Sequence, residues 1–306
     1  MKLIVGGGLA GLIAAHAWPQ AAVIESAPGP VESHKALLRF RTDAVARLTG
    51  IEFRKVRVRK GIWGDGQFVA PSIRVANLYA QKVLNSARLA DRSIWNIDPV
   101  DRFIAPESLY EQLVDTVGKR IEWNQRADFK QLSRIGQPYV STAPLPTVMG
   151  VLDPEPCLSP SFERQPITVK RWRLRGSDVF QTVYFPDGDT SMYRASITKD
   201  LLIAEFACRP ASVDLYVDLL GSAFGIDLGD WEPLPDVEQR YGKIEPIPDD
   251  VRKRILFWLT QKHHLYSLGR FATWRNILLD DIVDDIAVIK RINRNSTGYD
   301  LRRHTA

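Results

Sequence analysis

The chain has 306 residues, 45% of them apolar, and a formal net charge of +5, enough for one large domain or two interleaved lobes that fold without covalent staples. No stretch reaches the ~20 apolar residues of a membrane span. Its two cysteines, Cys157 and Cys208, have no C-x-x-C spacing, which excludes a disulfide framework and leads us to expect reduced thiols and a cytoplasmic protein.

Lys2 to Val5 has a short buried-strand pattern, Gly6 to Gly11 a tight turn, and Leu9 to Trp18 an Ala-rich helix ended by Pro19. The glycine spacing explains this apolar stretch better than a signal-peptide core does. Ala21 to Glu25 is a second strand. Ile51 to Lys60 alternates apolar and charged residues as a half-exposed strand does, Leu78 to Leu89 is expected to be helical, and Pro106 to Lys119 is a helix with acidic residues in its early turns. Ile121 to Trp123 and Tyr139 to Ser141 are strands that could rejoin the first sheet. Val179 to Tyr184, Ser191 to Ser196 and Leu201 to Phe206 alternate as an antiparallel sheet does. Helices are expected over Ser212 to Phe224 and Val251 to Thr260. Tyr266 to Ala272 then returns toward the first sheet, before a last helix from Thr273 to about Ile292.

The fold class expected is α/β: a Rossmann-like nucleotide-binding domain with an interleaved, largely antiparallel substrate lobe. The expected boundaries are 1–50, 120–150 and 262–306 for the first and 51–119 and 151–261 for the second.

Gly6-Gly7-Gly8-Leu9-Ala10-Gly11 fits G-x-G-x-x-G directly after a strand and at the start of a helix. Gly6 permits the turn, Gly8 lets backbone amides approach a pyrophosphate at the helix N-terminus, and Gly11 allows close helix–strand packing. Glu25 falls at the end of the second strand, where a carboxylate can accept both hydroxyls of an adenosine ribose, with Ser26 beside it.

Leu268-Gly269-Arg270-Phe271-Ala272-Thr273-Trp274 resembles the C-terminal flavin motif of the glutathione-reductase-type family, which includes amine oxidases and UDP-galactopyranose mutase. Tyr139-Val-Ser-Thr-Ala-Pro-Leu-Pro146 is similar to that family's strand returning to the cofactor domain. The resemblance implies FAD as cofactor. It adds Thr142, Gly269, Arg270, Phe271 and Trp274 to Gly6, Gly8, Leu9, Ala10, Gly11, Glu25 and Ser26 as cofactor contacts. The chain departs from the family in lacking a Gly-Gly pair after the ribose ligand: Ser26-Ala-Pro-Gly-Pro30 leads instead to His34 and Lys35.

His34 and Lys35 are candidates for proton transfer or oxygen activation, or for solvated loop residues. In the substrate lobe, Arg194 could clamp a carboxylate or phosphate, with Arg39 as an alternative, and Lys243 could approach the flavin. Arg54 to Lys60 holds five basic residues in seven, with Lys55, Arg57 and Arg59 on one face, and Arg171, Arg173 and Arg175 share a face of a later strand. Together, Arg54, Lys55, Arg57, Arg59, Lys60, Arg171, Arg173 and Arg175 could line duplex DNA. Trp63, Trp95, Trp172 or Tyr79 could support an unstacked base. His263 and His264 have no ligand spacing around them, and no metal site is expected.

An FAD fold beside basic stripes resembles a narrow group of flavin enzymes of bacteriophage thymidine hypermodification. That implies oxidation of 5-Nα-glycinylthymidine in double-stranded DNA to 5-aminomethyl-deoxyuridine, with molecular oxygen reoxidising the flavin, in a host cytoplasm. A small-molecule amine or amino-acid oxidase, a non-redox mutase-like flavoenzyme, and a DNA-binding protein using FAD structurally are the competing readings.

Overall fold

A computed structural model describes residues 1–30, 38–84, 87, 94–155, 158–208, 214–227 and 231–303. In chain order the first elements are β1 (Leu3–Val5), α1 (Leu9–Ala17), β2 (Ala22–Ile24), β3 (Arg39–Phe40), α2 (Ala44–Thr49), β4 (Arg54–Gly64), β5 (Gln67–Phe68), α3 (Ile73–Leu84) and β6 (Val100–Ile104). There follow α4 (Leu109–Val117), β7 (Ile121–Glu122), α5 (Phe129–Ile135), β8 (Tyr139–Ser141), α6 (Leu145–Leu152), β9 (Arg164–Leu174), β10 (Val179–Tyr184), β11 (Met192–Lys199) and β12 (Leu201–Phe206). The last are α7 (Asp214–Phe224), β13 (Trp231–Ile244), α8 (Asp249–His263), β14 (Leu265–Ser267), α9 (Arg270–Thr273) and α10 (Asp281–Arg303).

The chain divides into two compact units, 1–54 with 103–163 and 246–306, and 55–102 with 164–245. The first is built on a parallel sheet ordered β14-β8-β1-β2-β7. Its strands are short and nearly all apolar, as expected where helices cover both faces. α1 supplies Leu9, Leu12, Ile13 and Ala14 to its core, α4 adds Leu109, Tyr110 and Leu113, and α10 adds Ile282, Ile286 and Ile289. Residues 51–54, 103–119, 151–163 and 246–261, assigned by the sequence to the other lobe, belong to this unit. They pack here because α4 buries its apolar stripe against α1, and α8 lies along β14.

The second unit is a sheet ordered β13-β9-β12-β11-β10-β4-β6, mostly antiparallel, with β10 and β4 parallel. Its register runs Arg59–Gln181–Ile197–Leu202–Trp172 across five strands, so these side chains share one face. α7 covers part of that face, packing Leu220 and Ala223 against Trp172, Ile197 and Leu202. On the opposite face α3 packs Val75, Tyr79 and Val83 against Ile62 and Tyr193.

The last helix does not begin at Thr273. Trp274 takes a left-handed conformation that ends α9, and α10 starts seven residues later at Asp281, whose carboxylate accepts the Leu278 amide at 2.8 Å. Among the described residues no helix is long and apolar enough to cross a membrane.

Candidate functional site

At the carboxyl end of β1 and β2, a cleft of about 670 Å³ opens between the Gly6–Gly8 turn, Glu25 and Ser26, the loop of Asn124 to Ala127, and Thr142 to Pro144. Its size is that of a small-molecule or cofactor site.

The turn is built by close approach. Gly6 has φ +106°, and a Cβ there would lie 2.2 Å from Thr142 Oγ1. A Cβ on Gly11 would lie 1.8 Å from the Gly6 carbonyl oxygen, so α1 can enter the turn only with glycine at that position. Gly8 differs from both: its Cβ would meet nothing within 4 Å, and it faces the cleft. Gly8 is also the N-cap of α1, with no side-chain cap and no acidic residue in the first turn. The amides of Leu9, Ala10 and Gly11 therefore have no intrahelical acceptor, which leaves the positive end of α1 open to an anion.

Glu25 is fixed on the other side of the turn. One carboxylate oxygen accepts the Gly7 amide at 2.6 Å; the other accepts the Ala27 amide at 2.9 Å and the Ser26 hydroxyl at 3.1 Å. With its rotamer set by these bonds, the carboxylate keeps one acceptor site, on the oxygen that takes the Gly7 amide, for a ribose hydroxyl, and the Ser26 hydroxyl can give up its place to the second. Thr142 donates to the Val5 carbonyl at 3.1 Å and closes the cleft over Gly6.

Sequence reasoning missed two contributors. Tyr110 of α4 donates to the Gly7 carbonyl at 3.3 Å in the core, bracing the turn from behind. Asn124, Gln125 and Arg126 line the cleft because Asn124 takes a left-handed conformation, while the Asn124 and Gln125 amides bond to the Ala27 and Glu25 carbonyls. Asn124 was the available signal, since asparagine is among the few residues that tolerate that region.

The C-terminal motif lies behind the turn. Gly269 has φ +94° and a Cβ there would lie 3.1 Å from Ala10 Cβ, so it abuts α1. Arg270 and Phe271 are half-buried, the guanidinium lying 5.6 Å from the Phe271 ring centroid. Trp274 is fully buried in an edge contact with Phe162 and offers no surface to a ligand; its place is in the core.

The remaining candidates separate. His34, Lys35 and Cys157 lie outside the described residues. Arg39 is half-buried on β3, and Lys243 sits on β13 as register partner of Gln165. Arg194 is anchored by its Nε to Glu205, which also accepts the Tyr193 hydroxyl at 3.2 Å, beside the ring contact of Tyr79 with Tyr184. Burial opposes the Arg194 charge, but Glu205 outweighs it and holds the guanidinium pKa well above its ordinary value. Removing that anchor by Glu205→Ala is expected to lower stability by about 1 kcal/mol or less, read from the urea midpoint, because the Arg194 side chain is partly exposed and water can solvate the freed guanidinium.

The basic stripes do not join. Lys55, Arg57 and Arg59 are exposed on one face of the sheet, and the register places Arg171 and Arg173 on the other. Arg171 is 6% exposed and donates from Nε and Nη2 to the Pro235 carbonyl, and Arg173 pairs with Asp200 at 3.2 Å. Lys55 and Arg57 both pair with Asp101, and their hydrogen bonds hold its carboxyl below the usual range. The eight cations thus form no single surface for a duplex. Arg54, Arg59 and Arg175 are exposed, and Lys60 is half-buried. Trp172 is buried and Tyr79 packs in the core, whereas Trp95 is exposed. Among the described residues no cluster of three or more His, Cys, Asp or Glu could hold a metal.

No family model matches the sequence, and no curated protein matches it. Solved structures do. The PF1083 protein from Pyrococcus furiosus matches with a TM-score of 0.56 at 11% identity, over 93% of this chain and 95% of that one. An oxidoreductase from Methanosarcina mazei matches with a TM-score of 0.56 at 9% identity, over 95% and 100%. Reduced UDP-galactopyranose mutase matches with a TM-score of 0.70 at 14% identity, over 97% of this chain and 94% of that one. The chain therefore shares its α/β fold, over nearly its whole length, with UDP-galactopyranose mutase.

Proposed function

We propose that this protein is an FAD-dependent oxidoreductase acting on a C–N bond. The observation that carries the reading is the cleft at the end of β1 and β2, where Gly8 leaves space before the open amides of α1 and Glu25 presents a fixed carboxylate. These residues fit the adenosine diphosphate half of FAD: ribose on Glu25, pyrophosphate on the amides of Leu9 to Gly11, and the remaining cleft wall supplied by Asn124 to Arg126 and Thr142. Bound there, FAD would supply two-electron acceptance and reoxidation by molecular oxygen. The match to an oxidoreductase fold supports this class.

The substrate we propose is the secondary amine of 5-Nα-glycinylthymidine in DNA. The balance is one amine, one O₂ and one water to 5-aminomethyl-deoxyuridine, glyoxylate and hydrogen peroxide, with the glycyl C–N bond broken. The likeness to UDP-galactopyranose mutase favours a second reading, a mutase-like flavoenzyme without net oxidation.

Purified protein is expected to be yellow, and to bleach under anaerobic addition of glycinylthymidine-containing DNA but not of unmodified DNA, with peroxide released on aeration. Yellow protein indifferent to both would remove the substrate reading. Colourless protein that takes up no added FAD would remove the whole reading.

A further inference from the structure

On the α7 side of the second unit's sheet, two clefts of about 540 and 410 Å³ meet at Gln181 and Phe224 and form one groove beneath the C-terminal end of α7. The first cleft is bordered by Arg59 and Lys60, the second by Arg175. Arg59 and Arg175 are exposed and make no ion pair among the described residues, unlike Lys55, Arg57 and Arg173. Aromatic rings stand along the groove: Phe68, 57% exposed and in an edge contact with Trp63, then Phe224, then Trp231. From β4 to β9 is four strand steps, on the order of 20 Å, which is several phosphates long.

We infer that this groove holds a single strand of nucleic acid, its phosphates on Arg59 and Arg175 and its bases against Phe68, Phe224 and Trp231. Unpaired cations at the borders with flat rings between them are what an unstacked strand requires and what a duplex, whose bases are stacked inward, does not use. The inference deepens the reading of DNA as the substrate carrier and rests on it: a thymine presented to a flavin must leave its stack, and the groove gives the flanking strand a place to lie.

The test is fluorescence anisotropy of a labelled, unmodified oligothymidylate of about twelve nucleotides across a salt series. Binding to the FAD-loaded protein is expected to weaken about tenfold or more in Arg59→Ala/Arg175→Ala, with the salt slope falling by about 1.4 for two lost phosphate contacts. Lys55→Ala/Arg57→Ala, whose cations are held by Asp101, should change affinity less than about twofold. An unchanged flavin spectrum in both variants shows that they are folded. Equal affinity in the Arg59/Arg175 variant, tighter binding of an equal-length duplex, or no binding to the parent protein each overturns the inference. Oligothymidylate bound through these two arginines, with no bleaching by glycinylthymidine, would strike the substrate and leave the groove standing.

Discussion

Gly8→Ala is expected to give a folded protein that has lost its flavin, and Gly11→Ala one that does not fold at all. The two positions belong to one motif, yet they sit in opposite surroundings. Around Gly8 a methyl group finds nothing within 4 Å, and its backbone, at φ −75°, is one that alanine adopts freely, so apo stability should change by less than about 1 kcal/mol. The methyl would stand where a pyrophosphate must approach the first amides of α1. We expect FAD affinity to fall roughly a hundredfold, about 2.7 kcal/mol, measured by flavin fluorescence titration. At Gly11 the same methyl would lie 1.8 Å from the Gly6 carbonyl oxygen, a backbone atom with no flexible end to yield. Separating α1 from the turn should cost more than about 3 kcal/mol, read as loss of the cooperative transition in urea. Stoichiometric FAD in purified Gly8→Ala would show that the pyrophosphate lies elsewhere.

Asp280→Ala should be the most damaging change away from the cleft. Asp280 is 5% exposed, and one of its oxygens accepts the Arg41 amide at 2.8 Å, the Thr42 amide at 3.3 Å and the Arg41 Nε at 3.4 Å. This single side chain ties the segment after β3 to the entrance of α10. Alanine would leave the two amides without acceptors, at about 3 kcal/mol, and lower Tm by roughly 6–12 °C in a thermal melt. Arg41→Ala keeps both amide bonds and removes a cation that is half exposed, so its expected cost is about 1 kcal/mol or less. Equal losses in the two variants would place the stabilisation in the ion pair instead.

The parts of the fold that were legible are those where local chemistry and tertiary role coincide. Gly6 to Gly11 and Glu25 announce a nucleotide turn because steric need and ligand chemistry demand the same residues. β10, β11 and β12 alternate cleanly because each lies between two strands under a covered face. β13 is not legible in the sequence: Pro233, Pro235 and Gly242 interrupt its pattern, and its register with β9 shifts twice, between Leu234 and Val237 and between Gln239 and Lys243. α5 is too short to show an apolar period, and only its ends are legible: Asp128 accepts the Gln131 amide and Gly136 takes the left-handed cap. The basic stripes misled for a different reason. Alternation states that Arg171 and Arg173 share a face, but only the register chain through β12, β11 and β10 states that this face is not Arg59's, and only Pro235 on β13 shows Arg171 covered.

The order of strands in the parallel sheet sets a timetable for synthesis. β1 and β2 are made one after the other and already carry the whole glycine turn, but β7 and β8, their outer neighbours, follow about a hundred residues later. The edge strand β14 and the α10 isoleucines that bury α1 come only after residue 264. From the synthesis of β2 until α10 follows, a nascent chain therefore displays an apolar, edge-exposed nucleotide turn, the condition under which non-local pairing is slow and aggregation competes. Abundance in the cell should accordingly depend on holdase chaperones and on growth temperature more steeply than the stability of the finished protein alone would suggest.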